Sequence, residues 1–195
     1  MKKRFSGWIV LLAFLIPSLA LSTTVVRKSV EQMTHEADAI VIGQVTASRT
    51  YFGGPGKTQI LTDTTIRVAR VLKGAWEEAV MVSQLGGRIG LFQVMVDGAP
   101  EFALGEEVLL FLTRPFSGQR RSLVGFWQGK FTIVVEANTG RSLAIQGSNS
   151  SPGERRIVHA AAIKPQAMTL DQALDRIHRA LANPSSTSVT ATRRK

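Results

Sequence analysis

The sequence has 195 residues, 44% of them hydrophobic, and contains no cysteine. This length suits one domain with a substantial core, and the hydrophobic fraction excludes a largely disordered chain. The lack of cysteine excludes disulfides, thiolate catalysis and cysteine-bound metals.

Residues 1–22 have the pattern of a secretory signal peptide. Three basic residues, Lys2, Lys3 and Arg4, precede the unbroken apolar run 8–15, and small residues lead up to Ser22. The apolar stretch 8–21 is 14 residues long, whereas a membrane-spanning helix needs roughly 20. We therefore expect cleavage near Ser22, export to the periplasm or the medium, and no transmembrane segment in the mature chain.

The mature chain is mildly basic. The formal net charge is +10, and removal of three signal-peptide cations leaves 21 Lys+Arg against 14 Asp+Glu, which is +7. Three further cations stand at 193–195. Such a chain suits contact with an anionic envelope polymer or lipid, but it lacks the dense basic stripe of a nucleic-acid binder, so no nucleic-acid partner is expected.

The mature chain begins with a lead-in segment, 23–36, in which one short helical turn is expected from residue 30. A strand rich in Ile and Val follows at 37–47, and a Gly/Pro turn cluster at 51–56 separates it from a strand at 58–72. Alternation between apolar and polar residues in 66–70 predicts one wetter face for this second strand.

Short strands bounded by glycine turns continue from this point. The Gly-Gly and Asp-Gly pairs at 86–87 and 97–98 are typical of hairpins. The continuously apolar run at 107–113 predicts a strand buried on both faces. With the first two, seven or eight strands are expected, which suits a barrel or a sandwich. The later ones are predicted at 79–85, 88–96, 107–113, 121–127, 130–136 and 141–145.

The C-terminal region contains one helix. The β domain is expected to cover 23–147 and a loop 148–168, followed by a helix at 169–182. Leu170, Leu174, Ile177 and Leu181 form one apolar stripe, and Thr169 with Gln172 matches a capping box. The polar tail 183–195 has the composition of a disordered segment.

Three sequence blocks carry a family resemblance. They are ADAIVIGQV at 37–45, TIRVARVLKG at 65–74 and FALGEEVLLFL at 102–112. Together they resemble the OB-like β-barrel of netrin modules and tissue inhibitors of metalloproteinases, and exported bacterial proteins with the same blocks. The resemblance implies a mostly β fold: a small, partly open OB-like barrel with an extra hairpin and a C-terminal amphipathic helix. A plain β-sandwich is the alternative.

Four turn positions within these blocks are expected to be structural. Gly43 would permit a bulge, and Gly74, Gly105 and Glu106 would form turns into or out of strands. One departure from the family matters for function. The eukaryotic inhibitors bind the protease zinc through an N-terminal cysteine, which this chain lacks. Protease inhibition therefore remains only an alternative.

No sequence motif predicts catalysis, a metal site or a cofactor. The Gly-Lys-Thr at 56–58 has Tyr51 where a phosphate-binding loop needs glycine, and His35-Glu36 has Ala39 where a zinc-protease helix needs histidine. The chain has no Gly-x-Ser-x-Gly elbow. The adjacent acids at 77–78 and 106–107 are interpreted as solvated turn charges.

Aromatic residues near predicted strand ends, together with nearby arginines, are the candidate binding residues. OB barrels bind oligosaccharides and oligonucleotides through such side chains, although core packing would also explain the aromatics. The candidates are Tyr51, Phe52, Arg88, Phe92, Arg120, Arg121 and Trp127.

We therefore expect a non-enzymatic interaction module of the cell envelope or extracellular space, with no cofactor. Its partner would be another exported protein, such as a secreted protease. The alternatives are a hydrolytic enzyme with a dispersed polar site, a binder of anionic glycans, and a protease-inhibitor-like protein.

Overall fold

The computed structural model describes residues 26–96, 98–147 and 167–183. The expected signal peptide 1–22, most of the expected loop 148–168 and nearly all of the tail 183–195 lie outside the described residues.

Twelve helices and strands follow one another in the described residues. Short 3-10 turns at Pro55–Lys57, Ser117–Gln119 and Phe126–Gly129 connect some of them. In chain order the elements are α1 Val30–Glu36, β1 Ala39–Gly53, β2 Gln59–Lys73, β3 Ala79–Leu85, β4 Gly87–Ile89, β5 Phe92–Val94, β6 Glu107–Leu112, β7 Arg120–Arg121, β8 Lys130–Val135, β9 Ser142–Gln146, β10 Ala167–Thr169 and α2 Leu170–Ala182.

The main sheet has eight strands in the order β10-β9-β8-β6-β1-β2-β3-β7, and β4 with β5 forms a separate hairpin. All pairs in the main sheet are antiparallel except β3 with β7. In the described residues, β10 and β7 do not pair with each other, so the sheet is open. The prediction of a mostly β, partly open fold with a C-terminal helix is confirmed, whereas its assignment to the OB type stays a prediction.

Apolar side chains cover both faces of the central strands. On one face, Phe111 of β6 packs with Met33 of α1 and Ile177 of α2. On the other face, Leu110 packs with Ile66 and the neighbouring valines of β2 and β3. Because successive strand residues point to opposite faces, the apolar run of β6 is buried on both sides, as predicted.

Each helix begins with a capping box. Ser29 and Gln32 cap α1, and Thr169 and Gln172 cap α2. The box predicted for α2 is confirmed. In the predicted stripe, Ile177 is fully buried, while the three leucines are half-buried against the core.

Gly43 and Gly74 are required by close backbone approaches. Gly43 stands at a shift in the β1–β2 register, and a Cβ there would lie 2.4 Å from the carbonyl oxygen of Arg67. Gly74 has a φ of 94°, and a Cβ there would lie 3.0 Å from the carbonyl oxygen of Asp38. Gly105 also has a positive φ, 80°. The three glycines therefore lie at an irregularity of the ladder or at tight turns, as expected.

Two of the predicted strands before residue 100 differ from the observed ones. Tyr51 and Phe52 belong to the long strand β1, and the turn comes after them. The expected strand 88–96 is instead the hairpin β4–β5, with its turn at Gly90 and Leu91. Gly90 has a φ of 58°, which breaks the extended conformation.

Two further segments differ towards the C-terminus. Of the expected strand 121–127, only Arg121 is in a strand, because left-handed backbone at Gly125 and Phe126 leads into a 3-10 turn. At the end of the expected loop 148–168, residues 167 and 168 belong to strand β10, which pairs with β9.

Candidate functional site

A cavity of about 680 Å³ lies beside strand β3, near one edge of the main sheet. Its floor and one wall come from the ends of β1, β2 and β3, through residues such as Tyr51, Leu61 and Leu85. The other walls come from the segment after β5 and from the segments around β7, through Pro100, Phe116 and Phe126 among others. The volume falls within the roughly 300–1,000 Å³ that is typical of ligand sites.

The cavity follows a stretch of β3 that lacks an outer partner. β7 pairs only with Met81 and Val82 of β3. In the described part of the chain, no strand pairs with residues 83–85 on the side away from β2. Main-chain groups alternate in direction along an antiparallel strand, so those of alternate residues in this stretch, which lines the cavity, point away from β2 and have no strand partner there.

Arg120 supplies the cationic group of the cavity. Its Nε donates a hydrogen bond to Asp63 Oδ2 at 2.9 Å, and its Nη1 donates to the carbonyl oxygen of Ser117 at 3.0 Å. The hydrogen bond with the Asp63 carboxylate raises the pKa of Arg120. The Cζ atom lies 5.8 Å from the centroid of the Tyr51 ring, within the range of a cation–π contact. These contacts fix the guanidinium against the cavity wall.

Two buried oxygen atoms near the cavity have no hydrogen-bond partner in the described structure. One is Oδ1 of Asp63, behind Arg120, and the other is Oε1 of Gln84. Gln84 lines the cavity, and its Nε2 donates to the carbonyl oxygen of Pro100 at 2.9 Å. That bond fixes the side-chain amide and leaves Oε1 as an acceptor. A buried acceptor without a donor is costly, which favours a ligand or a water that donates to it.

The cavity wall is mostly apolar, with few polar groups. Arg120 and Tyr51 are its ionisable side chains, and none of the described lining residues is a carboxylate or an imidazole. Such a surface can bind an apolar or anionic segment, but the described lining offers no acid and base pair for proton transfer. In the described ranges, no group of three His, Cys, Asp or Glu residues is placed to hold a metal ion.

Tyr51 and Arg120 are the two predicted binding residues that meet in the cavity. Phe52 and Phe92 instead contact each other edge to face, with ring centroids 6.3 Å apart. Arg88 lies on the β4–β5 hairpin and donates to the carbonyl oxygen of Gly90 at 3.2 Å. These three residues do not line the cavity.

Trp127 is half-buried and packs against the backbone at Gly147, where a Cβ would lie 2.7 Å from its ring. Its contact is structural and lies outside the cavity lining. The seven candidates therefore do not form one continuous groove.

Arg121 is a buried structural cation rather than a surface residue. Its side chain is 7% exposed and forms ion pairs with Asp38 at 3.1 Å and Glu77 at 2.5 Å. Its Nη1 also donates to the carbonyl oxygen of Thr113. The residue therefore ties together the start of β1, the β2–β3 loop and the end of β6.

The sequence interpretation missed a buried ion pair between Lys130 and Glu106. Glu106, expected as a solvated turn residue, has a side chain only 5% exposed, and its Oε1 lies 2.8 Å from Nζ of the fully buried Lys130. Glu106 also accepts hydrogen bonds from the Ala103 backbone amide and the Thr132 hydroxyl. The expectation of solvation is therefore wrong for Glu106 and holds for the exposed Glu107.

Burial lowers the pKa of Lys130, and the neighbouring Glu106 carboxylate opposes this shift. The ammonium also donates to the carbonyl oxygen of Glu101 and lies 4.8 Å from the centroid of the Phe102 ring. One sequence feature could have indicated the pair. Lys130 opens a mostly apolar strand, where a cation needs a buried partner.

No protein-family model matches this chain, and no curated protein matches it significantly. The resemblance to netrin modules and tissue inhibitors of metalloproteinases thus stays an expectation from the three sequence blocks. No helix in residues 26–96, 98–147 and 167–183 is long and apolar enough to span a membrane.

Proposed function

We propose that this protein is an exported, non-enzymatic binding module of the cell envelope or extracellular space, and that it recognises an extended segment of another exported protein. The binding site is the cavity along residues 83–85 of β3. Export rests on the signal-peptide pattern of residues 1–22, and the choice of a binding module rests on the cavity.

The observation that carries the proposal is the free edge of β3 inside a concave, mostly apolar cavity. An extended peptide adds to such an edge through main-chain hydrogen bonds, and pockets for alternate side chains provide specificity. Three strand residues correspond to roughly 10 Å of bound peptide. The cavity on this edge supplies apolar walls for the side chains of that peptide.

The polar groups of the cavity define the chemistry of the bound segment. The Gln84 oxygen needs a donor, which a peptide N–H can supply. Arg120 is held by Asp63 and Ser117 on one side and is 29% exposed, so it presents part of its guanidinium to the cavity. A carboxylate on the bound segment would complete the interaction. We therefore expect an apolar segment with one acidic group.

A binder of anionic glycans is the second candidate. Phe116, Phe126 and Arg120 supply aromatic surface and charge in the same cavity. Binding of this kind would weaken steeply as salt is added, because it would depend mainly on charge. Peptide pairing with the edge of β3 would depend less on salt.

The proposal can be tested with a photo-crosslinking amino acid at Ser83, inside the cavity. The matched control is Ser142, a partly buried serine of β9. In the exporting cell, we expect position 83 to capture one discrete protein that position 142 does not capture. The captured protein is then purified and its affinity for the full chain is measured.

The affinity measurement decides between a specific and an incidental contact. Leu85→Lys places a charge on a half-exposed wall residue of the cavity, whereas Leu104→Lys makes the same change at an exposed site outside it. We expect at least a tenfold loss of affinity for Leu85→Lys, from roughly 1.5–3 kcal/mol of lost apolar burial. Equal affinities for the two variants would refute the proposed site.

A further inference from the structure

An apolar hairpin projects from one end of the molecule, independently of the cavity. At its turn, Leu91 is 96% exposed, and a Cβ added at Gly90 would have no neighbour within 4 Å. Phe92 and Met95 are also exposed, at 68% and 80%. Phe52, at the end of β1, contacts Phe92 and extends the apolar surface. Large apolar side chains grouped in this way mark an interaction surface.

The charges at this end are all positive in the described residues that form it. No Asp or Glu occurs in 39–62 or in 79–96, whereas Arg49, Lys57 and Arg88 do occur there. Asp63, which follows the first range, is paired with Arg120. Arg88 lies beside the turn, since its Nε donates to the carbonyl oxygen of Gly90. Asp97, which follows the second range, lies outside the described residues.

We propose that the β4–β5 hairpin, with Phe52, docks the protein on an anionic lipid surface. Leu91 and Phe92 enter the boundary between headgroups and acyl chains, and Arg88 contacts the anionic headgroups. A projecting turn offers little of the flat, matching area, about 800 Å² per partner, that a stable protein interface uses. Insertion into lipid requires only an apolar tip with cations around it.

The cysteine-free chain allows a direct test. A single cysteine at Leu91→Cys is labelled in the full chain with an environment-sensitive fluorophore, and Leu104→Cys is the matched control. Both leucines are exposed. Leu104 precedes Gly105, whose N–H donates to the carbonyl oxygen of Val45 on β1. Val45 lies seven residues before Phe52 on the same strand. These seven residues correspond to roughly 23 Å of strand, so the control lies far from the hairpin.

The probe is a vesicle of zwitterionic lipid with or without anionic lipid. With anionic vesicles, we expect the emission of the fluorophore at position 91 to shift to the blue and to be quenched by a lipid-attached quencher. The fluorophore at position 104 should show neither change, because it remains in water. Because each probe reports its own surroundings, membrane contact by the N-terminal segment does not produce the result. Phe92→Ser should lower the affinity for anionic vesicles about tenfold or more, and Arg88→Gln should lower it roughly fivefold.

Three results would overturn the proposal. A probe at 91 that stays in water with anionic vesicles would exclude insertion of the hairpin. Equal shifts at 91 and 104 would indicate non-specific adsorption. A shift at 91 that appears without vesicles and grows with protein concentration would identify the hairpin as a contact between two copies of the chain.

Discussion

Replacing Lys130 by methionine would leave the buried carboxylate of Glu106 without its cationic partner. Lys130 is fully buried and lies 2.8 Å from Glu106, whose side chain is 5% exposed. Methionine is similar in length and apolar, so it should fill the space without a large cavity. The hydrogen bonds from Ala103 and Thr132 to Glu106 would remain. The substitution therefore tests the ion pair more than the packing.

The cost of this substitution follows from the burial of the pair. Removing one partner of a buried ion pair destabilises a protein by about 3–5 kcal/mol, because the other charge loses its compensation. That loss is large compared with the roughly 5–15 kcal/mol that holds a domain folded. In the double variant Lys130→Met with Glu106→Gln, no buried charge of the pair remains. We expect the double variant to recover most of the loss, since neutral replacements of buried pairs are often tolerated.

Urea denaturation followed by circular dichroism gives the free energy of unfolding for the wild type, both single variants and the double variant. Burial lowers the pKa of Lys130 in the folded state. The unfolded chain therefore binds more protons between that lowered pKa and the ordinary value near 10.5, and wild-type stability gains a contribution as pH rises through this window. Lys130→Met should lack this contribution. A single variant within about 0.5 kcal/mol of the wild type, like an ordinary surface substitution, would refute the reasoning.

Two other predictions concern a backbone approach and an exposed ion pair. Gly43→Ala should lower the free energy of unfolding, measured by urea denaturation, by about 2–3 kcal/mol, since its Cβ would meet the Arg67 carbonyl. Gly105→Ala, where a Cβ has open space but the φ is positive, should lower it by about 1 kcal/mol. Equal losses for the two variants would contradict the explanation. The hydrogen bond from Arg176 lowers the pKa of Glu31 from 4.5 to about 2, so the stability from this pair is present above pH 4.5 and is lost as pH falls towards 2. Because Glu31 and Arg176 are 41% and 34% exposed, Arg176→Gln should lower the free energy of unfolding by only about 0.2–1 kcal/mol at pH 7. If the difference between variant and wild type persists unchanged at pH 2, the ion pair is not its source.

Local sequence patterns were sufficient to predict the elements whose structure is decided locally. The capping box at Thr169, the stripe through Ile177 and the apolar run of β6 appear as predicted. The segment 121–127 was predicted wrongly, because left-handed backbone at Gly125 and Phe126 takes it into a 3-10 turn. The burial of Arg121 was not predicted either, because it depends on distant partners. Arg121 pairs with Asp38, 83 residues away, and Glu77, 44 residues away. No local pattern records those contacts.

The candidate site was predicted only in part for the same reason. Tyr51 of β1 and Arg120 of β7 meet because Asp63, on the intervening strand β2, holds the guanidinium across β3. Arg121 is adjacent in sequence but is directed into the buried network, since neighbours on a strand face opposite sides. The sequence could not indicate that β7 has only two residues and therefore leaves part of β3 without a partner.

The two edges of the sheet differ in a way that bears on function. Exposed strand edges invite pairing with other chains, and proteins usually protect them with charge, proline, short length or a covering helix. At one edge, β10 has three residues and lies next to α2. At the other, residues 79–85 contain neither charge nor proline, and β7 covers only two of them. An edge left without the usual protection and bordered by a cavity is better explained by selection for binding than by stability alone. Leu85→Lys, which adds a charge at this edge, should therefore reduce partner binding while leaving the fold intact.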